Sequence, residues 1–267
     1  MGKLVFVGLG LHDQDGISLG GLKAAKKADN VFVELHTSLM RELNIDQLED
    51  LIGKKVTVLS RRLLEEDSGV CLLKVASKNN VVFLVPGDPL IATTHVDLRI
   101  RAEKAEIRTE VIHGSSIISA AIGLSGLQNY KFGRSVTIPF TNQYPPSETP
   151  YNVLKVNQRI GLHTLCFLDI EAEEKHYMTI KDGLEMLQIV ERKKKGGIIT
   201  ENTFVVGIAG AGSRNPNVKA GTLKEVFDYD FKILPHTLIF PGRLHFMEME
   251  ALVVLANASE NIRNLER

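Results

Sequence analysis

The chain is poor in the residues that most specialised chemistries require. It has no Trp, only two Cys, and 32 basic side chains balanced by 32 acidic ones. The thiols, Cys71 and Cys166, each sit inside an apolar run, which excludes a disulfide framework and a thiolate zinc site and points to a reducing compartment. Zero formal charge excludes attraction of the whole surface to nucleic acid or an anionic membrane. No apolar run approaches the ~20 residues that cross a bilayer. HExxH, Cys/His ligand spacing and a Ser/His/Asp order are all missing, so no metal is expected and no catalytic residue is assigned. The N-terminus enters a strand-like run at once, without a basic and apolar leader pattern, so a cytoplasmic location is expected. What is present, 44% hydrophobic and 24% charged residues over 267 positions, suits one large domain or two ordinary ones.

The informative stretch is VVFLVPGDPLIATTHVDLR, residues 81–99. Five apolar residues end abruptly in Pro86-Gly87-Asp88-Pro89, and a helical pattern begins near Thr93. This reads as a buried strand, a tight turn and a helix start. In an open α/β sheet such a turn lies at the carboxyl end of a strand, where ligands bind. Two prolines fix the backbone, Gly87 permits close approach, and Asp88 offers a carboxylate held by the turn. A rigid turn with a capping Asp explains the same residues.

Residues 3–9 (KLVFVGL) read as a first strand ending in Gly8-Leu9-Gly10-Leu11, followed by a helix over 18–28 with Ser18 as N-cap. Position 13 is Asp rather than the third Gly of GxGxxG, so a dinucleotide fingerprint is incomplete and the turn is simply glycine-rich. Strands are predicted at 31–35, 56–59 and 107–112, and helices at 46–52 and 65–78, the latter with Leu72, Leu73 and Ala76 on one side. Thr94-His95-Val96-Asp97 resembles a capping box, with Val96, Leu98, Ile100 and Ala102 buried. Alternation of strand and helix argues for a mainly parallel sheet. His113-Gly114-Ser115-Ser116 opens a small-residue helix over 117–124. Its first N–H groups suit an anionic ligand or simple capping by a serine, and the pattern does not separate the two.

Between 129 and 150, Gly133, Pro139, Pro145, Pro146 and Pro150 interrupt any long element, marking an irregular linker or flap. A helix over 153–160 and a strand over 163–170 (HTLCFLDI) follow. Thr179 with Asp182 caps a helix running to Lys195, whose basic last turn and following Gly pair are what a helix terminus favours. Strands over 203–209 and 236–240, a short helix or extended segment over 222–230 and a closing helix over 246–256 complete the chain. Two domains are expected, 1–113 and 114–267.

Taken together, GLGL at 8–11, PGDPLIATTH at 86–95, His113 to Ile117, YKFG at 130–133, GLHTLCFLDI at 161–170 and PGRLH at 241–245 resemble the diphthine synthases. These are methyltransferases of the tetrapyrrole (precorrin) methylase fold. The PGDP turn is shared across that fold, whereas its combination with ATTH, YKFG and LHTL is far more specific. The resemblance implies a two-domain α/β homodimer, with a mainly parallel N-terminal sheet, a smaller mixed C-terminal domain and a cofactor cleft between them. It implies S-adenosylmethionine as cofactor, with S-adenosylhomocysteine as product. The positions implied to bind it are Leu11, Asp88, Ile91, Ser116, Ile117, Leu168, Ala209 and His236. A basic residue is expected near Gly210; this chain has Ala209-Gly210-Ala211-Gly212 instead, which leaves Ala209 and Ala211 both open. The implied substrate is translation elongation factor 2 carrying a 3-amino-3-carboxypropyl histidine, whose amino group is methylated repeatedly. Some members also methylate a carboxylate.

The residues suit this chemistry. Methyl transfer is an in-line displacement in which the cofactor brings the activated group and the protein supplies position and dryness. Asp88 is expected to place the cofactor rather than act as a base. His95, His163 and His245 are each either substrate contacts or histidines bonded to backbone. Residues 144–151 and the Lys193 cluster are candidate docking surfaces for the factor. The same fold hosts methylation of tetrapyrrole ring carbons, and a non-catalytic module binding the factor is the reading from a different class.

Overall fold

A computed structural model describes residues 2–141 and 146–264. The chain forms two compact units, Met1–Ile117 with Ile170–Lys175, and Ile118–Asp169 with His176–Arg267. The expected boundary at 113/114 falls in the turn before the helix at 117, and nothing in the sequence marks the short excursion at 170–175. No helix among the described residues is long and apolar enough to cross a membrane.

The first unit is a five-stranded sheet flanked by helices. Its strands are β1 (Lys3–Gly8), β2 (Asn30–Glu34), β3 (Val56–Leu59), β4 (Asn80–Val85) and β5 (Arg108–Ile112). They lie in the order β3-β2-β4-β1-β5, and every pairing is parallel. The central strands are apolar throughout because both faces are covered. Val5, Val7, Val82 and Leu84 face one way, against Ala25 of α1 (Leu19–Lys27) and Leu48 and Ile52 of α2 (Ile45–Ile52). Leu4, Phe6, Val81, Phe83 and Val85 face the other way, against α3 (Arg61–Glu65), α4 (Val70–Ala76) and α5 (His95–Lys104).

Three local expectations are corrected here. The helix predicted over 65–78 starts later, as α4 at Val70, because Glu65 ends α3 and the chain then turns left-handed at Ser68 (φ +55) and Gly69 (φ +65). The capping box at Thr94 does not form: Thr94 makes no side-chain cap bond, and the neighbouring Thr93 hydroxyl donates to the Pro89 carbonyl at 2.9 Å. Leu98 and Ala102 are buried as expected, but Val96 and Ile100 are 53% and 47% exposed, since α5 turns His95 inward instead.

After α6 (Ile117–Ser125), the second unit carries β6 (Val136–Ile138), α7 (Thr149–Arg159), β7 (Thr164–Leu168), the two-residue strands β8 (Ile170–Glu171) and β9 (His176–Tyr177), of which Ile170–Glu171 belongs to the first unit's excursion, and α8 (Ile180–Lys194). β10 (Phe204–Ala209), β11 (Asn217–Thr222), α9 (Leu223–Asp228), β12 (His236–Phe240) and α10 (Phe246–Ala256) follow. Its sheet runs β11-β10-β12-β7-β6, antiparallel except for β6 with β7. Expected as the smaller of the two, this unit has a main sheet of the same strand number. Pro150 does not interrupt a helix but sits in the first turn of α7, where its missing N–H costs nothing. Strand β11 is absent from the sequence reading because NVKAGT lacks an apolar run; it is an edge strand zipped to β10. Part of the irregular stretch at 129–150, including Tyr144, lies outside the described residues. Lys193 and Lys194 at the end of α8 pair with Glu148.

The tightest point of the first unit is where β1, β4 and β5 end. A Cβ placed on Gly8 would lie 2.5 Å from the Gly87 carbonyl oxygen and 2.6 Å from the Gly114 nitrogen, both backbone atoms that have nowhere to go. Gly8→Ala should therefore destabilise the protein by about 1–3 kcal/mol or more. Gly123→Ala, in α6 with nothing within 4 Å of the added methyl, should leave stability unchanged or raise it by up to ~1 kcal/mol. Urea denaturation of the two variants checks the contrast.

Candidate active site

In the first unit, the connection from β1 runs over β4 to β2, while that from β4 runs over β1 to β5. The two strands lie side by side and their connections diverge, which makes their carboxyl ends the switch point where an α/β sheet binds ligands. There the main chains bond directly. The Leu9 N–H donates to the Val85 carbonyl (2.8 Å), and Gly10 and Gly87 exchange N–H···O bonds of 3.2 and 2.6 Å. Gly10 (φ +81) and Gly87 (φ +70) hold left-handed conformations that side chains resist. At Gly87 an added Cβ would find Leu11 Cδ2 and the Ser115 carbonyl oxygen only at 3.9 Å, so glycine is required there by conformation rather than by crowding. Of the expected site residues, Leu11 follows β1, Asp88 and Ile91 follow β4, and Ser116 and Ile117 follow β5. Five of the eight are thus carried by three adjacent strand ends. Ile91 is 40% exposed and Leu11 half-buried, giving apolar surface beside bare backbone.

Asp88 is buried, and both its oxygens are engaged. Oδ1 accepts from the Leu90 N–H (3.0 Å), which tightens the PGDP turn, and Oδ2 meets Nδ1 of His113 at 2.7 Å. Nearby, His95 is buried with Nδ1 donating to the Pro89 carbonyl at 3.2 Å, and its ring packs edge-on against Phe83 and His36. Burial pushes its pKa down, outweighing the nearby Glu34 carboxylate that pulls it up. His95 thus holds the turn from behind. At the end of β2, fully buried Glu34 accepts from the N–H groups of His36 (2.8 Å) and Thr37 (3.1 Å) and from the Thr37 hydroxyl.

In the second unit the three remaining site residues lie in one row. Ala209, the last residue of β10, pairs with His236, the first of β12. Leu168, the last of β7, stands one step beyond the Phe167–Thr237 pair. Leu168 and Ala209 are buried, so main chain is what they offer a ligand. Ala211 comes two residues later, past left-handed Gly210 (φ +59), and is half-buried. The Nδ1 of His236 accepts from the Ile180 N–H (3.2 Å), which puts the ring proton on Nε2. Among the described residues that buried N–H makes no hydrogen bond of good geometry, the Ile233 backbone being the nearby polar group. Burial drives the His236 pKa down to about 4, so the ring is a neutral donor.

Elsewhere in this unit, one carboxylate gathers the motifs at 130–133, 161–170 and 241–245. Glu248 is fully buried and accepts from the Gln128 N–H (2.9 Å), the His245 N–H (2.8 Å), Nε2 of His163 (2.9 Å) and the Lys131 ammonium. The Nδ1 of His163 accepts from the Gly242 N–H (2.8 Å), which fixes the tautomer. Burial would raise the Glu248 pKa, but these donors together hold it at about 2. Burial also lowers the His163 pKa, more than the Glu248 carboxylate raises it. His163 and His245 therefore serve this network; His245 is also the N-cap of α10. A cavity of about 480 Å³ lined by Thr164, Phe204, Thr222 and Phe240 opens at the opposite ends of these strands from the His236 row. Among the described residues, no group of three or more His, Cys, Asp or Glu is arranged to hold a metal. Neither the pairing of Asp88 with His113 nor the role of Glu248 is legible in the sequence; for the latter, the signal is a Glu three residues after His245 at the start of an apolar helix (FMEMEALVVLA).

Comparison with known proteins gives a consistent picture. Residues 3–226 match the family of tetrapyrrole (corrin/porphyrin) methylases. The chain is 48% identical over 258 residues to a diphthine synthase of Methanosarcina acetivorans, covering 95% of this chain and 96% of the relative. It is 44% identical over 261 residues to that of Methanocaldococcus jannaschii, covering 97% and 100%. A crystal structure of diphthine synthase superposes with a TM-score of 0.88 at 41% identity, covering 98% of this chain and 99% of that one.

The buried histidines make stability depend on pH. His236 binds a proton near pH 6.5 when unfolded but only near about 4 when folded. Its contribution is therefore complete above pH 6.5 and lost as pH falls towards 4, a loss of about 3 kcal/mol. His163 acts in the same direction. Glu248, depressed to about 2, contributes above its unfolded value of 4.5 and weakens only below that window. Urea midpoints between pH 7 and pH 4.5 should fall in the wild type and flatten in His236→Asn, whose amide oxygen can still accept from Ile180.

Proposed function

The chain belongs to the tetrapyrrole methylase family, and from its place among the diphthine synthases we propose that it methylates the modified histidine of translation elongation factor 2. It is a methyltransferase of diphthamide biosynthesis. In the proposed reaction the acceptor is the amino group of the 3-amino-3-carboxypropyl chain, the donor is S-adenosylmethionine, and S-adenosylhomocysteine is released. The enzyme works in the cytoplasm as a homodimer.

The residues present fit such a donor. Leu11, Asp88, Ile91, Ser116 and Ile117 would hold it from the first unit, and Leu168, Ala209 and His236 from the second. The observation that carries this reading is the N–H of His236, a buried donor that makes no hydrogen bond of good geometry among the described residues, in a row of buried backbone. Such a group costs about 1–3 kcal/mol unless a ligand satisfies it. The apolar side chains of Leu11, Ile91 and Ile117 add the dry surface that methyl transfer favours. The bare main chain at Gly10 and Gly87 allows a ligand to lie against backbone. When bound, the donor supplies an activated methyl group, so the protein needs no nucleophile of its own. Its tasks are to bind, to orient the acceptor and to exclude water.

Two measurements test the reading. Calorimetry should show S-adenosylhomocysteine binding once per chain. Mass spectrometry of elongation factor 2 carrying the 3-amino-3-carboxypropyl histidine should then show methyl groups added in sequence after incubation with S-adenosylmethionine. Absence of binding heat together with an unchanged factor would sink it. Methyl transfer to a tetrapyrrole in place of the factor would reassign the acceptor.

A further inference from the structure

An amine attacks a methyl group only through its lone pair, and an α-ammonium is mostly protonated at pH 7. Each round of N-methylation must therefore remove a proton, and repeated methylation must do so repeatedly. A carboxylate acceptor has no such need. If the acceptor is the amine, as proposed above, the site requires a base.

We propose that His113, held by Asp88, is that base. Its Nδ1 lies 2.7 Å from Asp88 Oδ2, and a carboxylate only accepts, so Nδ1 carries the proton and Nε2 keeps a lone pair. The Asp88 side chain is buried and its other oxygen is tied to the Leu90 N–H, so the carboxylate is fixed. The His113 side chain is 74% exposed. A buried acid thus orients an accessible imidazole, the arrangement that prepares a histidine to accept a proton. His113 follows β5 and precedes Ser116 and Ile117, while Asp88 lies in the PGDP turn, so the pair sits among the residues proposed to hold the donor. His95 and His163 are buried, whereas the side chain of His113, with its Nδ1 tied to Asp88, is largely exposed. Other charged or titratable groups on the neighbouring elements are Glu110 on β5, which pairs with Lys3 on β1, and His12, Asp13 and Asp15 in the turn after β1. None of these bonds to the His113 ring.

The step balances. The acceptor ammonium gives a proton to Nε2, and the freed nitrogen lone pair forms the N–C bond as the donor's C–S bond breaks. The sulfonium becomes a thioether, and the imidazolium passes its proton to water. One proton is released per methyl group.

The test uses His113→Gln and His113→Asn with the full-length protein and the modified elongation factor. At pH 7 both variants should lose roughly 10²–10⁴-fold in kcat, while S-adenosylhomocysteine affinity stays within about twofold of wild type, since the exposed ring is not needed to build the turns. The deficit should narrow as pH rises past 9, where the amine deprotonates unaided. Nitrogen NMR of the wild-type protein without donor should show the Nδ1–H tautomer at His113. A deficit that stays constant with pH, a parallel loss of S-adenosylhomocysteine binding, or the opposite tautomer would each overturn the assignment. A wild-type product methylated on oxygen alone would overturn the amine reading and the base with it.

Discussion

Three backbone turns in the first unit meet closely, and at two of them, Gly8 and Gly114, no side chain fits. Gly8, Gly87 and Gly114 bring the ends of β1, β4 and β5 so close that a Cβ on Gly8 or Gly114 would strike the backbone of the neighbouring turn. The Gly10–Gly87 pair of hydrogen bonds continues the sheet beyond its last regular residue. Everything proposed for the donor in this unit follows from that contact. It sets where Leu11 and Ile91 present apolar surface, and it brings Asp88 within reach of His113. Backbone approach of this kind is rigid, because moving one turn breaks hydrogen bonds in another. Rigid placement is what an in-line transfer demands of its protein.

The second unit solves a different problem with charge. Glu248 is buried without exposure, which is costly in isolation, and four donors offset that cost. The donors come from before β6, from the residue preceding β7, and from the cap of α10. The carboxylate therefore ties three chain segments that the hydrophobic core alone would leave free to slide. This explains the segments YKFG, LHTL and PGRLH, each of which supplies one part of the network. Their contribution is architectural, and they lie at the far ends of the strands from His236.

The histidines divide according to burial. His95, His163 and His236 are enclosed, and desolvation keeps them neutral, so they act as fixed donors and acceptors. His113 is exposed, and a buried acid sets its orientation. A transferase whose cofactor carries the reactive group has little use for other ionisable machinery. The remaining demand is proton removal, the task proposed for the accessible imidazole of His113.

The sequence alone fixed a good deal. Apolar runs ended by glycine located β1, β4 and β12 almost to the residue, since strands buried on both faces leave no polar position to blur their limits. Ser18 and Thr179 announced helix starts through local bonds that need no tertiary partner. Motif order pointed to the family. Local rules failed where distant contacts decided. The edge strand β11 exists because β10 offers it a ladder, and the box at Thr94 yields to a turn that claims Thr93 and His95. The pairing of Asp88 with His113, and of Glu248 with Lys131 and His163, joins residues far apart in the chain. No spacing encodes such pairs, because strand order and packing bring them together, and those are properties of the folded whole.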